Sequence, residues 1–261
     1  MRKSTRNLLA LAAVTVLLGI GVYAELVREH RWLEAQRLTD IDPVTIKSLV
    51  VRCDSCTTRR FERTTSGWRM LEPYALPASP GAIAHLLSIA RAPVHTWLSA
   101  SDHDPDRLGL RPAQVTLQLD TTRIDIGNED PIDHDRYVRV GQRLARVPDR
   151  FSARLFESAE SELDRHLLPG NPDVASIEID DAPARTDLAH VWKTVMATGV
   201  RAAQGTAPAQ TIPITVNLHD GRSIRFRLLR AAKAYVVRRQ QPPLDYLIDE
   251  IQAQTLLGKL K

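Results

Sequence analysis

Two stretches decide the fold: "VTLQLDTTRIDIG" from Val115 to Gly127, and "ITVNLHDGRSIRFRLL" from Ile214 to Leu229. In the first, Val115, Leu117 and Leu119 alternate with Thr116 and Gln118; in the second, Ile214, Val216 and Leu218 alternate with Thr215 and Asn217. After a short turn each stretch resumes the same alternation, through Ile124 and Ile126 or through Ile224, Phe226 and Leu228. A period of two bounded by turn residues marks antiparallel strands with one buried face.

Outward from these hairpins the likeness continues. "RYVRVG" and "RLARVP" follow the first, completing a four-strand meander, and "AYVVRR" follows the second. "DRFSARLFESAESELDRHLL" then carries Phe151, Leu155 and Phe156 at helical spacing, which predicts an amphipathic helix, and "LDYLIDEIQAQTLL" is its counterpart. Upstream, "TIKSLVV" and "RRFERTT" predict a strand pair around the turn C-D-S-C-T-T, and "SGWRML" a third strand turned at Gly67. "VASIEID" from Val174 restarts the first of these, and "VWKTV" is the counterpart of "GWRML", which puts Trp68 and Trp192 at equivalent positions, read as core packing with a ligand platform as the alternative. "SPGAIAHLLSIARA" predicts a helix, with Ser79 as N-cap, Pro80 at the first helical position, and Ile83, Leu86, Leu87 and Ala90 on one face. No clear equivalent of that helix follows Val174; "TGVRAAQGTAPAQT" reads as a loop in its place.

The expected fold class is therefore α+β: two related units of antiparallel meander plus helix, over residues 44–170 and a shortened 171–261. The chain of 261 residues is long enough for both.

The N-terminus adds an anchor. "MRKSTRN" is basic, and Leu8 to Ala24 runs 17 residues without a charge, against the roughly 17–25 that a bilayer span needs. The small residue before Tyr23, and Ala24 after it, also fit a signal-peptidase site, but the length favours a retained transmembrane helix. The positive-inside rule then puts residues 1–7 in the cytoplasm as a tail and the bulk of the chain in a periplasm, beyond the inner membrane. Residues 25–43, with Leu26, Trp32 and Leu33 among alternating charges, predict a helical stalk ended by Asp42-Pro43.

Several elements resemble a bacterial family of membrane-anchored envelope proteins, domain-of-unknown-function family 4340. They are Gly67-Trp68 with Met70 or Leu71 and Pro73; Pro77-Ala78-Ser79; Gly109-Leu110-Arg111-Pro112; Ile126-Gly127 with Tyr137-Val138-Arg139; and Leu167-Leu168-Pro169. The match covers most of residues 44–180 and more weakly the rest. The resemblance implies a cell-envelope protein without catalytic residues, an accessory component associated with ABC-type transporters. This chain departs from the pattern in its shortened second half and in its C-x-x-C.

Cys53 and Cys56 are the two cysteines. Strand-forming residues flank them on both sides, so no helix N-terminus is there to activate a thiol. No second pair supplies a four-ligand zinc site. A β-turn brings its ends within about 7 Å, which suits a turn disulfide; idle thiols, a redox pair and a metal site are the alternatives. "SDHDPD" (Ser101–Asp106) and "DPIDHDRY" (Asp130–Tyr137) place histidines among carboxylates but have loop composition. No P-loop, dinucleotide-binding or nucleophile-elbow motif is present, and neither a catalytic residue, a cofactor nor a metal is expected.

Formal net charge is +4, from 35 basic and 31 acidic residues. Arg222, Arg225, Arg227, Arg230, Lys233, Arg238 and Arg239 fall together without an intervening acid up to Arg239. In a periplasm such a group would dock an acidic protein face, an anionic polymer or lipid headgroups; nucleic acid is not expected, because stacking aromatics are scarce. The alternative is a solvated sheet face. The sequence thus favours a non-enzymatic accessory or scaffold protein of an envelope complex, then a periplasmic binding module for an anionic polymer or lipid, and last a thiol-active enzyme.

Overall fold

The computed structural model describes residues 14–28, 36–205, 211–231 and 234–258. Residues 14–28 form helix α1. Among the described residues no helix is long and apolar enough to cross a membrane. Residues 1–13, which hold the expected tail and the start of the expected anchor, and residues 29–35 of the expected stalk lie outside the described residues. From residue 36 to residue 39 the chain is not a stalk helix: it lies against residues 90–94, with Leu38 N donating to Ala92 O at 2.9 Å and Val94 N to Gln36 O at 2.6 Å.

The remainder is α+β, with two antiparallel sheets and few helices. The first half contains β1 (Ser48–Cys53), β2 (Arg59–Thr64), β3 (Gly67–Glu72), α2 (Pro80–Ser88), β4 (Thr96–Leu98), β5 (Val115–Leu119), β6 (Thr122–Glu129), β7 (Asp135–Val140), β8 (Arg143–Pro148) and α3 (Ser152–Leu155). The second contains β9 (Val174–Ile179), α4 (Ala189–Thr194), β10 (Gly199–Ala202), β11 (Ile212–Leu218), β12 (Ser223–Ala231), β13 (Ala234–Arg239), β14 (Leu244–Ile248) and α5 (Glu250–Leu256).

The eight-stranded sheet has the order β3-β2-β1-β5-β6-β7-β8-β4, and the six-stranded sheet, read from its other edge, β9-β11-β12-β13-β14-β10. The six strands of the second sheet thus run in the same order as β1-β5-β6-β7-β8-β4. Registers agree as well: Leu117 faces Ile124 and Val216 faces Ile224, with Thr116–Asp125 and Thr215–Arg225 beside them.

This correspondence corrects two expectations. "VWKTV" is not a third strand but lies largely in helix α4, in the place of α2. Leu188 and Trp192, four residues apart, are 4% and 0% exposed, so the helical spacing buries both. The Trp192 indole donates to Leu256 O at 3.1 Å and lies 5.4 Å from the Phe226 ring. Trp68 is therefore not its equivalent; it stands half-buried on β3. What the second half lacks is the β2–β3 hairpin, not the helix, and the expected loop after α4 includes edge strand β10.

The helix expected across residues 149–168 is also much shorter. The Asp149 side chain accepts from Ser152 N at 2.9 Å at the start of α3, but the helix stops at Leu155. The carbonyls of Leu155 and Glu157 accept from the Arg59 guanidinium instead of from later amides. Phe156 is exposed rather than packed.

Two glycines match their sites. A side chain at Gly127 would strike the Leu108 carbonyl oxygen, and one at Gly109, where φ is +67°, would strike the Asn128 side chain. The two sheets share one apolar core that includes Leu49, Phe61, Leu117, Ile177, Val216 and Tyr246. The connection between them is stitched to both halves. Asp164 N donates to Pro77 O at 3.0 Å on one side, and Ala197 N to Arg165 O at 2.8 Å on the other. Leu163, Leu167 and Leu168 are buried there.

Candidate functional site

The arginines expected to act together do not form one patch. Along β12, at about 3.3 Å per residue, Arg222 and Arg230 stand roughly 25 Å apart at opposite ends. Arg227 lies on the outer sheet face, facing Arg238 in register. Arg238 is neutralised by Asp245, only 1% exposed, at 2.6 Å; that hydrogen bond holds the Arg238 guanidinium above its usual pKa. Arg230 lines an apolar recess beside α5 with Leu228, Tyr235 and Leu257. Lys233 lies outside the described residues.

Arg222, Arg225 and Arg239 do converge, because the β11–β12 and β13–β14 turns fall at the same end of the sheet. They meet Arg69 of β3 and the Ala75–Pro77 segment across a cleft of about 770 Å³, floored by the Pro169–Pro172 connection. None of the residues lining the cleft is acidic. Arg69 and Arg239 donate to the carbonyls of Ala75 and Gln241, and neither makes an ion pair among the described residues. Arg222 pairs with Asp220 at 2.6 Å. The Arg225 side chain makes no hydrogen bond or ion pair among the described residues.

The first sheet shows what a structural charge looks like at the same position. Asp125, which corresponds to Arg225 by register, is 3% exposed and held by Arg139 at 2.6 Å and Arg123 at 2.7 Å. Burial alone would raise its pKa, but the hydrogen bonds from Arg139, Arg123 and Thr116 outweigh it and bring the carboxyl below its usual value. Arg225 has no such clamp. Sequence reading found Arg222, Arg225 and Arg239 but missed Arg69, because nothing in "GWRML" announces that alternate residues of an edge strand face different recesses.

Cys53 and Cys56 are bonded to each other across the β1–β2 turn, with Cα atoms 5.3 Å apart. Two residue pairs further along, Val51 faces Arg59. Arg59 sits on the core side of β2 with Phe61, fully buried, 2.6 Å from Glu162. Burial, only partly offset by Arg59, pushes the Glu162 carboxyl up to about 7. Sequence reading did not single out this pair.

Among the described residues no group of three or more His, Cys, Asp or Glu could hold a metal ion. In the two histidine-carboxylate loops the side chains serve turns. Asp130 accepts from the amides of Ile132 and Asp133 and from the Tyr137 hydroxyl, and these bonds hold it at about 2. His134 pairs with Glu129 at 2.6 Å.

No family model, curated protein or solved structure matches the chain.

Proposed function

We propose that this protein is a non-enzymatic accessory or scaffold subunit of an envelope complex, anchored in the inner membrane by residues 8–24, and that its cleft receives an acidic segment of a partner protein. The observation that carries this reading is the cleft between the sheets, lined by four arginines and no acid, with Arg225 unclamped. A preformed groove of fixed cations selects a negatively charged segment and speeds its encounter. The resemblance to membrane-anchored envelope proteins makes an ABC-type transporter component the partner to look for. We read the two halves as copies of one unit, on the strength of their common strand order and register; the hairpin found only in the first supplies one wall of the cleft.

A second reading has an observation of its own. Arg227 carries positive charge from the cleft onto the open sheet face, which would suit a longer anionic polymer.

The test is fluorescence anisotropy of a labelled hepta-glutamate peptide titrated with the full chain in mild detergent. Binding should weaken with salt, and Arg225→Glu should weaken it roughly tenfold, or about 1.4 kcal/mol. Equal binding by wild type and Arg225→Glu would reject the cleft. Retention on anionic polysaccharide but not on the peptide would select the second reading.

A further inference from the structure

A second recess, of about 650 Å³, lies on the other side of β3. Alternation along that strand sends Arg69 to the basic cleft and Trp68 to this groove. Its wall is apolar, formed by Trp68, Leu87, Ile89 and Phe151, and three arginines, Arg63, Arg91 and Arg150, also line it. None of its lining residues is acidic. Arg63 donates to the Val44 carbonyl, which does not neutralise it.

The route of the chain places this groove. Residues 36–39 lie against residues 90–94, and Ala92 and Pro93 of that segment line the groove. The chain then passes to Pro43 and to Val44, 70% exposed, which line it too. The groove thus adjoins the point where the chain arrives from the apolar helix α1. Seven residues, 29–35, separate the end of α1 from residue 36, and a chain of that length spans at most roughly 30 Å.

We propose that this groove binds an anionic phospholipid of the anchoring membrane. One acyl chain lies against Trp68 and Phe151, and the phosphate sits among Arg63, Arg91 and Arg150. A lipid is favoured over a peptide because the groove joins an apolar wall to cations that have no acidic partner among the described lining residues, beside the membrane-proximal entry of the chain. The inference rests on residues 8–24 being an anchor.

The experiment places the full chain, with Trp32→Phe to silence the tryptophan nearest the anchor, in nanodiscs of phosphatidylglycerol with plain or brominated acyl chains. Trp68 emission is taken as the difference from a Trp68→Phe companion. Bromination should dim Trp68, and that loss should disappear in the Arg63→Gln, Arg91→Gln, Arg150→Gln triple variant and in phosphatidylcholine discs. Emission indifferent to bromination, or quenching that survives the triple substitution, would overturn the lipid site alone. A chain that does not enter the discs at all would overturn the anchor, and this inference with it.

Discussion

Arg59 and Glu162 are the residues on which the first half turns. A buried ion pair adds little net stability, but removing one partner strands the other charge, at a cost of about 3–5 kcal/mol. Arg59→Met should therefore lower the thermal midpoint far more than the double variant Arg59→Met, Glu162→Leu, and calorimetry of both will show it. The pair also has a pH signature. The Glu162 carboxyl is raised from 4.5 to about 7 in the fold, so the stability it contributes is complete below about pH 4.5 and is lost as pH rises through about 7. The clamped aspartates act in the opposite sense, below the usual carboxylate range, so the part of the slope between roughly pH 5 and 7 that Glu162→Gln removes belongs to Glu162. Glu162→Gln should flatten that slope; an unchanged slope would refute the raised carboxyl. None of this was legible in "RRFERTT", where Arg59 is one of three arginines and alternation alone would allow either face.

At the scale of elements, strands were legible wherever one face is buried. Val115, Leu117 and Leu119 alternate because their partners across the core leave no choice of face. Edge strands β4 and β10 were not, since three or four residues carry too little alternation. The longest misread element, the helix over residues 149–168, fails for a tertiary reason: the Arg59 guanidinium takes the carbonyls that a continuing helix needs. α4 was legible in principle through Leu188 and Trp192 at i, i+4 spacing, but "VWKTV" resembled "GWRML" more strongly than its own period. The β1–β2 hairpin yields a prediction. Its disulfide closes a very small loop and contributes about 2 kcal/mol in the chain-entropy estimate. Replacing both Cys53 and Cys56 by Ser should lower the melting temperature by several degrees and leave peptide binding intact; lost binding with unchanged melting would make the pair functional instead.

At the scale of the molecule, the cleft exists because two sheets of one strand order share a core while only the first carries the extra hairpin. The sequence pointed to the two halves and to three of the four cleft arginines. It could not show that Arg230 turns to the other face of β12, that Arg238 is neutralised by the buried Asp245, or that Arg227, on the same face as Arg225, lies beyond the cleft. The most direct test of the docking reading is to purify the tagged full chain in mild detergent beside Arg225→Glu and Arg227→Glu, with quantitative mass spectrometry of what accompanies each. An envelope protein recovered with the wild type and with Arg227→Glu, but lost with Arg225→Glu, is the predicted result. Identical recovery from all three, or no accompanying protein at all, would contradict it.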